Sequence, residues 1–355
     1  MKVAVGISGG VDSAVAALLL KEQGHELVGV TMTLGRADEE TSVAEARSVA
    51  ERLEIPLKVF DFSREWNSSV LDYIRTTYLG GATPNPCVRC NETVKFGLLP
   101  RAAFELGCER FATGHYARVS FKHRGTETQR RQTGRQSPCL CASVLENEVR
   151  LLRAVDRSKD QSYFLYRVKP EILARTIFPL GGLTKDEVRT KARAFGFEAA
   201  DRSDSQDFCG GDPMDIVAAE PREGNIVRTD GKVLGTHRGF WNYTVGKRKG
   251  LGIGGGTPYY VVRLDAARNE VVVGFRDEAV RREFKVADRV GFSRSGEDAA
   301  SPLMVKVRSA GEPKGPVTVE GDVVRCPEGI VGIAPGQSAV FYDGDEVVGG
   351  GIIVV

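Results

Sequence analysis

Apolar positions in the first third of the chain fall into two alternating periods. Lys2-Val3-Ala4-Val5-Gly6-Ile7 is a nearly unbroken apolar run, as a strand buried on both faces requires. Ala14-Val15-Ala16-Ala17-Leu18-Leu19-Leu20 is rich in helix formers, with Gly24 placed as a stop, and residues 27–32 form a second strand-like run. Val43, Ala46, Ala50 and Leu53 then fall at helical spacing, and Ser42-Val43-Ala44-Glu45 has the capping-box form that predicts a start at Ser42. Residues 57–60 read as a strand. Val70, Leu71, Ile74 and Tyr78 read as a helix stopped at Gly80-Gly81, and residues 96–106 as a helix closed by Gly107, before a strand over 110–113. Strands alternating with helices predict an α/β fold with a doubly wound parallel sheet. Functional loops of such a sheet gather beyond the carboxyl ends of its strands, which here places residues 8–13, Met32 and Gly114-His115-Tyr116 together.

Further along, Thr184-Lys185-Asp186-Glu187 is a second capping box, opening a helix to Phe195 with Gly196 as its stop. From about Pro213 helical periods vanish, glycines become frequent and short β-branched runs appear at 259–262, 271–273, 303–307 and 347–355. That change predicts a small all-β region followed by a terminal barrel. Residues 121–136 are polar, carry Lys122, Arg124, Arg130, Arg131 and Arg135, and show no apolar period. They predict an irregular insertion, either a solvated loop or a phosphate-contacting arm.

A length of 355 residues allows two or three domains, and 41% hydrophobic with 27% charged residues describes an ordinary globular protein. A net charge of +2 provides no global basic field, so any nucleic-acid surface must be local. The start lacks a leader pattern and no apolar run reaches the length of a membrane span, so a cytoplasmic protein with no membrane partner is expected. Seven cysteines, an odd number, read as thiols for chemistry, metal or packing in a reducing compartment.

Candidate chemistry begins in Gly6-Ile7-Ser8-Gly9-Gly10-Val11-Asp12-Ser13. Adjacent glycines let the backbone turn sharply toward a ligand, and the following helix start offers unpaired N–H groups to an anion. Ser8 and Ser13 add hydroxyl donors, and Asp12 either holds magnesium or caps the helix. No lysine follows Gly10, which excludes a Walker loop. Pro84-Asn85-Pro86-Cys87-Val88-Arg89-Cys90-Asn91 places a Cys-x-x-Cys pair in a proline-stiffened loop before a helix, where the helix start and Arg89 favour a reactive thiolate. Cys209 sits in a second polar loop, Asp204-Ser205-Gln206-Asp207-Phe208-Cys209-Gly210-Gly211. Three other readings stand beside this one: a zinc site shared with Cys139 and Cys141, a thioredoxin-like pair, and an inert Cys209. His115 is expected to be a hydrogen-bonded structural residue rather than a base, and Cys108, Cys139, Cys141 and Cys326 are given no role.

Ser-Gly-Gly-Val-Asp-Ser behind an N-terminal strand resembles the PP-loop of ATP pyrophosphatases, which split ATP between its α- and β-phosphates to adenylate an oxygen. That loop is followed, in order, by Asn85-Pro86…Cys90-Asn91, Ala112-Thr113-Gly114-His115-Tyr116 and Lys159-Asp160-Gln161-Ser162-Tyr163, then by the Cys209 loop and Tyr243-Thr244-Val245-Gly246-Lys247-Arg248-Lys249-Gly250. Together they resemble the tRNA-specific 2-thiouridylase family over most of the chain. The resemblance implies a PP-loop domain over 1–206, a small central domain over 207–283 and a C-terminal β-barrel over 284–355. It implies ATP-dependent replacement of the C2 oxygen by sulfur in the wobble uridine of certain tRNAs, with magnesium as cofactor and a sulfur-donor protein as partner. Residues 6–13, Met32 and Gly114 match the ATP positions. Asn85, Pro86 and Cys87 match those beside the target base, and Lys159, Asp160, Gln161 and Arg308 match tRNA contacts. Cys209 corresponds to the persulfide carrier and Cys90 to the thiol that attacks it, leaving a Cys90–Cys209 disulfide for reduction. Cys87 stands where members often carry aspartate, which raises the alternative of an iron–sulfur cluster on Cys87, Cys90 and Cys209. The segment 35–41 is shorter than is common, and Ser309 follows Arg308 where an aromatic is usual. Two further readings are another PP-loop adenylating ligase or amidotransferase, and a non-catalytic ATP-sensing RNA-binding protein.

Overall fold

The computed structural model describes residues 1–37, 39–123, 147–197, 213–254, 256–291 and 302–354. Its first strand, β1 (Lys2–Gly6), is buried on both sides because successive side chains enter different cores. Val3 and Val5 join a cluster with residues of the helices Val11–Glu22, Glu39–Arg52 and Lys185–Phe195. Ala4 enters a second cluster on the opposite face with Phe96, Leu99 and Ala103. Parallel strands β2 (Glu26–Thr33), β3 (Leu57–Asp61), β4 (Arg110–Ala112) and, further along, β7 (Thr176–Ile177) complete a five-stranded sheet. Its order is β3-β2-β1-β4-β7, so the winding direction reverses between β1 and β4. This is the doubly wound sheet predicted from the apolar periods, and its switch point is the crevice where ligands bind in such folds.

Four expectations need correction. The second helix begins at Glu39, not Ser42, because the Glu39 carboxylate accepts the Leu34 N–H and Glu39 and Glu40 suit the positive end of the helix. The helix expected over 96–106 is part of a longer run that starts at Pro86–Cys90, widens to a π-helix over Asn91–Leu98 and returns to α over Leu99–Glu105. Pro100 has no N–H to offer the carbonyl four residues back, so a normal α-helical bond is lost at that junction. The all-β region is preceded by a short helix, Pro213–Val217. The polar segment after Phe121 is irregular at most in part: β5 (Ala117–His123) carries Phe121 and Lys122 and pairs antiparallel with β6 (Asn147–Arg153), while residues 124–146 lie outside the described residues. The second capping box holds as read, with both reciprocal bonds of Thr184 and Glu187 made and Gly196 in the left-handed region at φ +77°.

The central region forms a four-stranded sheet from β8 (Gly224–Arg228), β9 (Val233–His237), β10 (Tyr260–Asp265) and β11 (Glu270–Gly274). Strands β12 (Val280–Gly291), β13 (Leu303–Lys306), β14 (Lys314–Glu320), β15 (Val323–Val331), β16 (Ser338–Asp343) and β17 (Glu346–Val354) follow in the ring order β12-β15-β14-β13-β16-β17. Pairing of β12 with β17 closes the ring, the expected terminal barrel.

The barrel is not a detached module. Strand β6 pairs with β17 at Leu152–Glu346 and Leu151–Val347, so the β5–β6 hairpin extends the barrel sheet. Val340, Tyr342 and Val347 of the barrel share one apolar cluster with Ala4, Val28 and Val30 of the parallel sheet, through Tyr163, Leu165 and Tyr166. Arg153 beside that seam is ion-paired to Asp160 (3.4 Å) and to Glu312 of the barrel (2.7 Å), which compensates the burial of its guanidinium.

Close approach at this seam requires Gly350, where a Cβ would lie 2.6 Å from the Tyr166 ring and 2.7 Å from the Ala339 carbonyl oxygen. Gly350→Ala is expected to lower stability by about 1–3 kcal/mol through overpacking. Equilibrium denaturation measures this, and an unchanged midpoint would contradict the packing described.

Candidate active site

The loop at the end of β1 is shaped by its own small side chains. Gly9 has φ +82°, and a Cβ there would lie 2.4 Å from Glu45 Cβ, so only glycine lets this turn pack against the second helix. Ser13 Oγ accepts the Ser8 N–H (3.1 Å) and donates to the Gly10 carbonyl (2.9 Å), with Ser8 Oγ 3.2 Å away. Gly10 is the N-cap of Val11–Glu22 and makes no side-chain cap bond, which leaves the first-turn N–H groups available to an anion. Gly114, at the end of β4, reaches the same place: a Cβ on it would lie 2.7 Å from Asp12 C and from Ser13 N. Met32 ends the neighbouring β2. The three loops expected to converge at the switch point do converge.

Two residues that the sequence reading passed over complete this site. Lys185, 173 residues beyond Asp12, places Nζ 2.8 and 2.9 Å from the two Asp12 carboxylate oxygens, and its side chain is 6% exposed. Tyr116 donates its hydroxyl to Asp12 Oδ1 (2.9 Å), and its ring lies 5.8 Å from Lys185 Nζ. The cation absent from the loop is therefore supplied by the first turn of a distant helix. A local signal existed: lysine in a first helical turn opposes the helix dipole, and such a conflict marks a residue kept for a tertiary reason. Asp12 keeps a third of its side chain exposed, and a single carboxylate beside bound phosphates is the kind of ligand magnesium takes.

His115 is structural, as expected. Its Nδ1 lies 2.9 Å from Thr113 Oγ1, and its ring packs on Phe96 and Phe178. Burial, with Lys95 nearby, pushes its pKa down to about 3, so the imidazole is neutral at physiological pH.

The Cys-x-x-Cys pair lies on the helix Pro86–Cys90. Asn85 is its N-cap, accepting the Val88 N–H at 3.3 Å. Cys87 is half-buried, whereas Cys90 is 2% exposed in a cluster with Leu34, Trp66, Val70, Ile74 and Val94. Met32 packs against that same cluster, so the nucleotide side of the crevice and the Cys90 thiol share one wall. Arg89, expected to favour a thiolate, instead directs its guanidinium to the Ser69 carbonyl (3.1 Å) and to Glu92 (3.2 Å). Cys209 lies outside the described residues, as do Cys139 and Cys141. Among the described residues no group of three or more His, Cys, Asp or Glu is placed to hold a metal ion, and of the three thiols considered for a cluster only Cys87 and Cys90 are described. Cys108 and Cys326 are packing residues at 2% exposure, with burial pushing the Cys326 thiol up to about 11.

The remaining candidates are placed as follows. Asp160 directs its carboxylate inward, accepting from Ala154 N, Ser162 N and Ser162 Oγ. Gln161 brackets Tyr116, accepting its N–H (2.9 Å) and donating to its carbonyl (2.8 Å). Lys159 begins this same short loop, its N–H donating to the Asp156 carbonyl (3.2 Å). Arg308 donates to the Val331 carbonyl (2.8 Å) on the barrel surface.

Gly114→Ala forces its Cβ into the peptide of Asp12 and Ser13, and is expected to weaken ATP binding by about 10²-fold, the scale of a 1 Å displacement in a positioned site. Calorimetric titration with ATP measures it. His115→Phe tests the buried imidazole through pH. With its folded pKa below the unfolded value of 6.5, His115 adds stability above pH 6.5 and loses it as pH falls toward about 3. Wild type should therefore lose up to about 1.4 kcal/mol per pH unit more than His115→Phe across that window. Parallel curves of stability against pH would reject this.

Comparison with known proteins agrees with this geometry. Residues 1–210 match the tRNA methyl transferase HUP domain family, residues 217–275 the tRNA methyl transferase PRC-barrel domain, and residues 281–353 the aminomethyltransferase beta-barrel domain. The tRNA-specific 2-thiouridylase MnmA of Trichormus variabilis is 41% identical over 366 residues, covering 99% of this chain and 98% of that protein. The protein of the same name from Geotalea uraniireducens is 42% identical over 377 residues, covering 99% of this chain and 94% of that protein. Likeness at this level, spanning the loop, the thiol helix and the barrel alike, means that the chain belongs to the tRNA-specific 2-thiouridylase family.

Proposed function

We propose that this protein replaces the C2 oxygen of the tRNA wobble uridine with sulfur at the expense of ATP. The observation that carries the reading is the shared wall: Met32, at the mouth of the phosphate loop, and Cys90 pack in one cluster. A uracil carbonyl oxygen leaves poorly, so the base is first adenylated and then attacked by sulfur. Ser8, Ser13 and the N–H groups after Gly10 receive the phosphates, with Met32 and Gly114 toward the adenine. Lys185 exchanges its pairing with Asp12 for the triphosphate, where a buried ammonium stabilises charge that develops as the α-phosphorus is attacked. Magnesium, when held at Asp12, supplies further neutralisation of the phosphates. The extruded base stands beside Asn85, Pro86 and Cys87.

Sulfur reaches the base through the two thiols. A sulfur-donor protein loads Cys209 as a persulfide. The Cys90 thiolate attacks the Cys209 sulfur, forming a Cys90–Cys209 disulfide and releasing hydrosulfide. Hydrosulfide adds at C2, AMP departs with the former C2 oxygen, and an external dithiol reduces the disulfide to restore both cysteines. Lys159, Asp160, Gln161 and Arg308 are assigned to the tRNA side, Asp160 and Gln161 by shaping the loop that presents Lys159.

Nucleoside mass spectrometry of tRNA incubated with the protein, ATP, magnesium and a sulfur source tests the reading. 2-Thiouridine is expected. Cys90→Ser and Cys209→Ser should abolish it and leave ATP affinity unchanged. Lys185→Met should weaken ATP binding by about tenfold or more, the loss of one charge-assisted contact. AMP formation without sulfur, unaffected by Cys209→Ser, would show an adenylating ligase of another kind. Absence of pyrophosphate release with tRNA present would show an ATP-sensing RNA-binding protein.

A further inference from the structure

The turn between β15 and β16 of the barrel is built against the segment that leads into the thiol helix. Thr83 donates its N–H to the Pro335 carbonyl at 2.7 Å. Gln337 Nε2 donates to the carbonyls of Thr83 (3.3 Å) and Pro84 (2.6 Å). Both groups facing this amide are acceptors, so its orientation is dictated by chemistry. Gly336 has φ +87°, and a Cβ there would lie 2.7 Å from the Thr83 oxygen and 3.1 Å from Ala82 Cβ. The two backbones are as close as glycine permits.

Ser338, 2% exposed, carries the contact one step nearer the thiols. Asn85 Nδ2 donates to Ser338 Oγ (3.4 Å) and to the Tyr163 hydroxyl (3.2 Å). Tyr163 donates to the Ser338 carbonyl (3.1 Å), and Tyr166 donates to Ser338 Oγ (3.2 Å). The Asn85 N–H is taken by Tyr73 Oη at 3.1 Å, and its Oδ1 caps the helix of Cys87 and Cys90. Asn85, 6% exposed, has its amide engaged on both sides by protein.

A helix of five residues has almost no stability of its own, so its place and direction are set from outside. Here the setting comes from the barrel, more than 250 residues away in sequence, through Gln337 and Ser338. We propose that Gln337 and Ser338 are positioning residues for sulfur transfer: through Asn85 and the carbonyls of Thr83 and Pro84, the C-terminal barrel holds the Cys87–Cys90 helix at its working angle. This rests on the thiolation reading above and deepens it. Asn85 then serves the target base indirectly, by fixing the helix that meets it.

The test compares Gln337→Glu, which turns a donor into an acceptor facing two carbonyls, with Gln337→Lys, which keeps donors there. Three measurements are made on the full chain: iodoacetamide alkylation of Cys90 against pH, mapped by mass spectrometry; ATP affinity; and tRNA thiolation. Gln337→Glu is expected to raise Cys90 alkylation several-fold, shift its pH midpoint and cut thiolation by about tenfold or more, with ATP affinity within about twofold of wild type. Gln337→Lys should restore the wild-type alkylation profile and most of the thiolation. Should Gln337→Glu be recovered only unfolded, Ser338→Ala removes the oxygen shared by Asn85 and Tyr166 without adding charge, and is held to the same expectations. Wild-type alkylation and thiolation in Gln337→Glu or Ser338→Ala would overturn the proposal. So would loss of ATP affinity in step with thiolation, which marks general disruption. Alkylation needs no tRNA, so failure of wild type to thiolate would reject the function while leaving the clamp separately answered.

Discussion

The backbone approach of Gly114 to the peptide between Asp12 and Ser13 is the constraint on which the candidate site depends. It holds the end of β4 against the start of the first helix, with no room for a single extra carbon. Everything that follows Gly114 inherits its position. His115 drops into a pocket between Phe96 and Phe178, and Tyr116 comes within hydrogen-bond distance of Asp12. Gln161 brackets the Tyr116 backbone, and Lys185 closes over the carboxylate from a separate helix. A set of residues scattered over 173 positions of sequence is thereby gathered at one strand-order reversal.

Much of this was legible in the sequence, and the boundary of what was legible is physical. The strands and helices around residues 2–32 announce themselves because both sheet faces are covered, so the apolar runs are long and the turns are marked by glycine. The helix start at Glu39 was misread because the carboxylate that accepts the Leu34 N–H substitutes for a hydroxyl cap. Phe121 and Lys122 looked irregular because exposed polar residues conceal a strand whose pairing comes from β6. Lys185 and Tyr116 could not be placed by spacing at all, since only the packed sheet brings them to Asp12. A closed barrel was readable as a class, whereas the β12–β17 pairing that seals it is a long-range fact.

The thiols illustrate how context separates identical side chains. Cys108 and Cys326 sit in apolar cores, where burial raises their pKa and keeps them protonated and inert. Cys90 is equally buried, yet it lies on a short helix whose cap, Asn85, is tied into the barrel and whose apolar surroundings reach Met32 at the nucleotide crevice. Exposure alone does not distinguish a working sulfur from a packing one. The difference lies in what the supporting backbone is fastened to.

The β5–β6 hairpin, lodged between the nucleotide-binding sheet and β17, has a bearing on how the chain emerges from the ribosome. The parallel sheet is complete in sequence at Ile177, but the outer edge of β6 meets its partner only when Glu346 and Val347 have been made. Leu151, Tyr163 and Tyr166, each at most 1% exposed in the finished protein, stay without their full cover until then. A nascent chain halted in the central region therefore displays an open strand edge beside an apolar face, the combination most prone to wrong partners. Completion of the last strand is what seals the first domain.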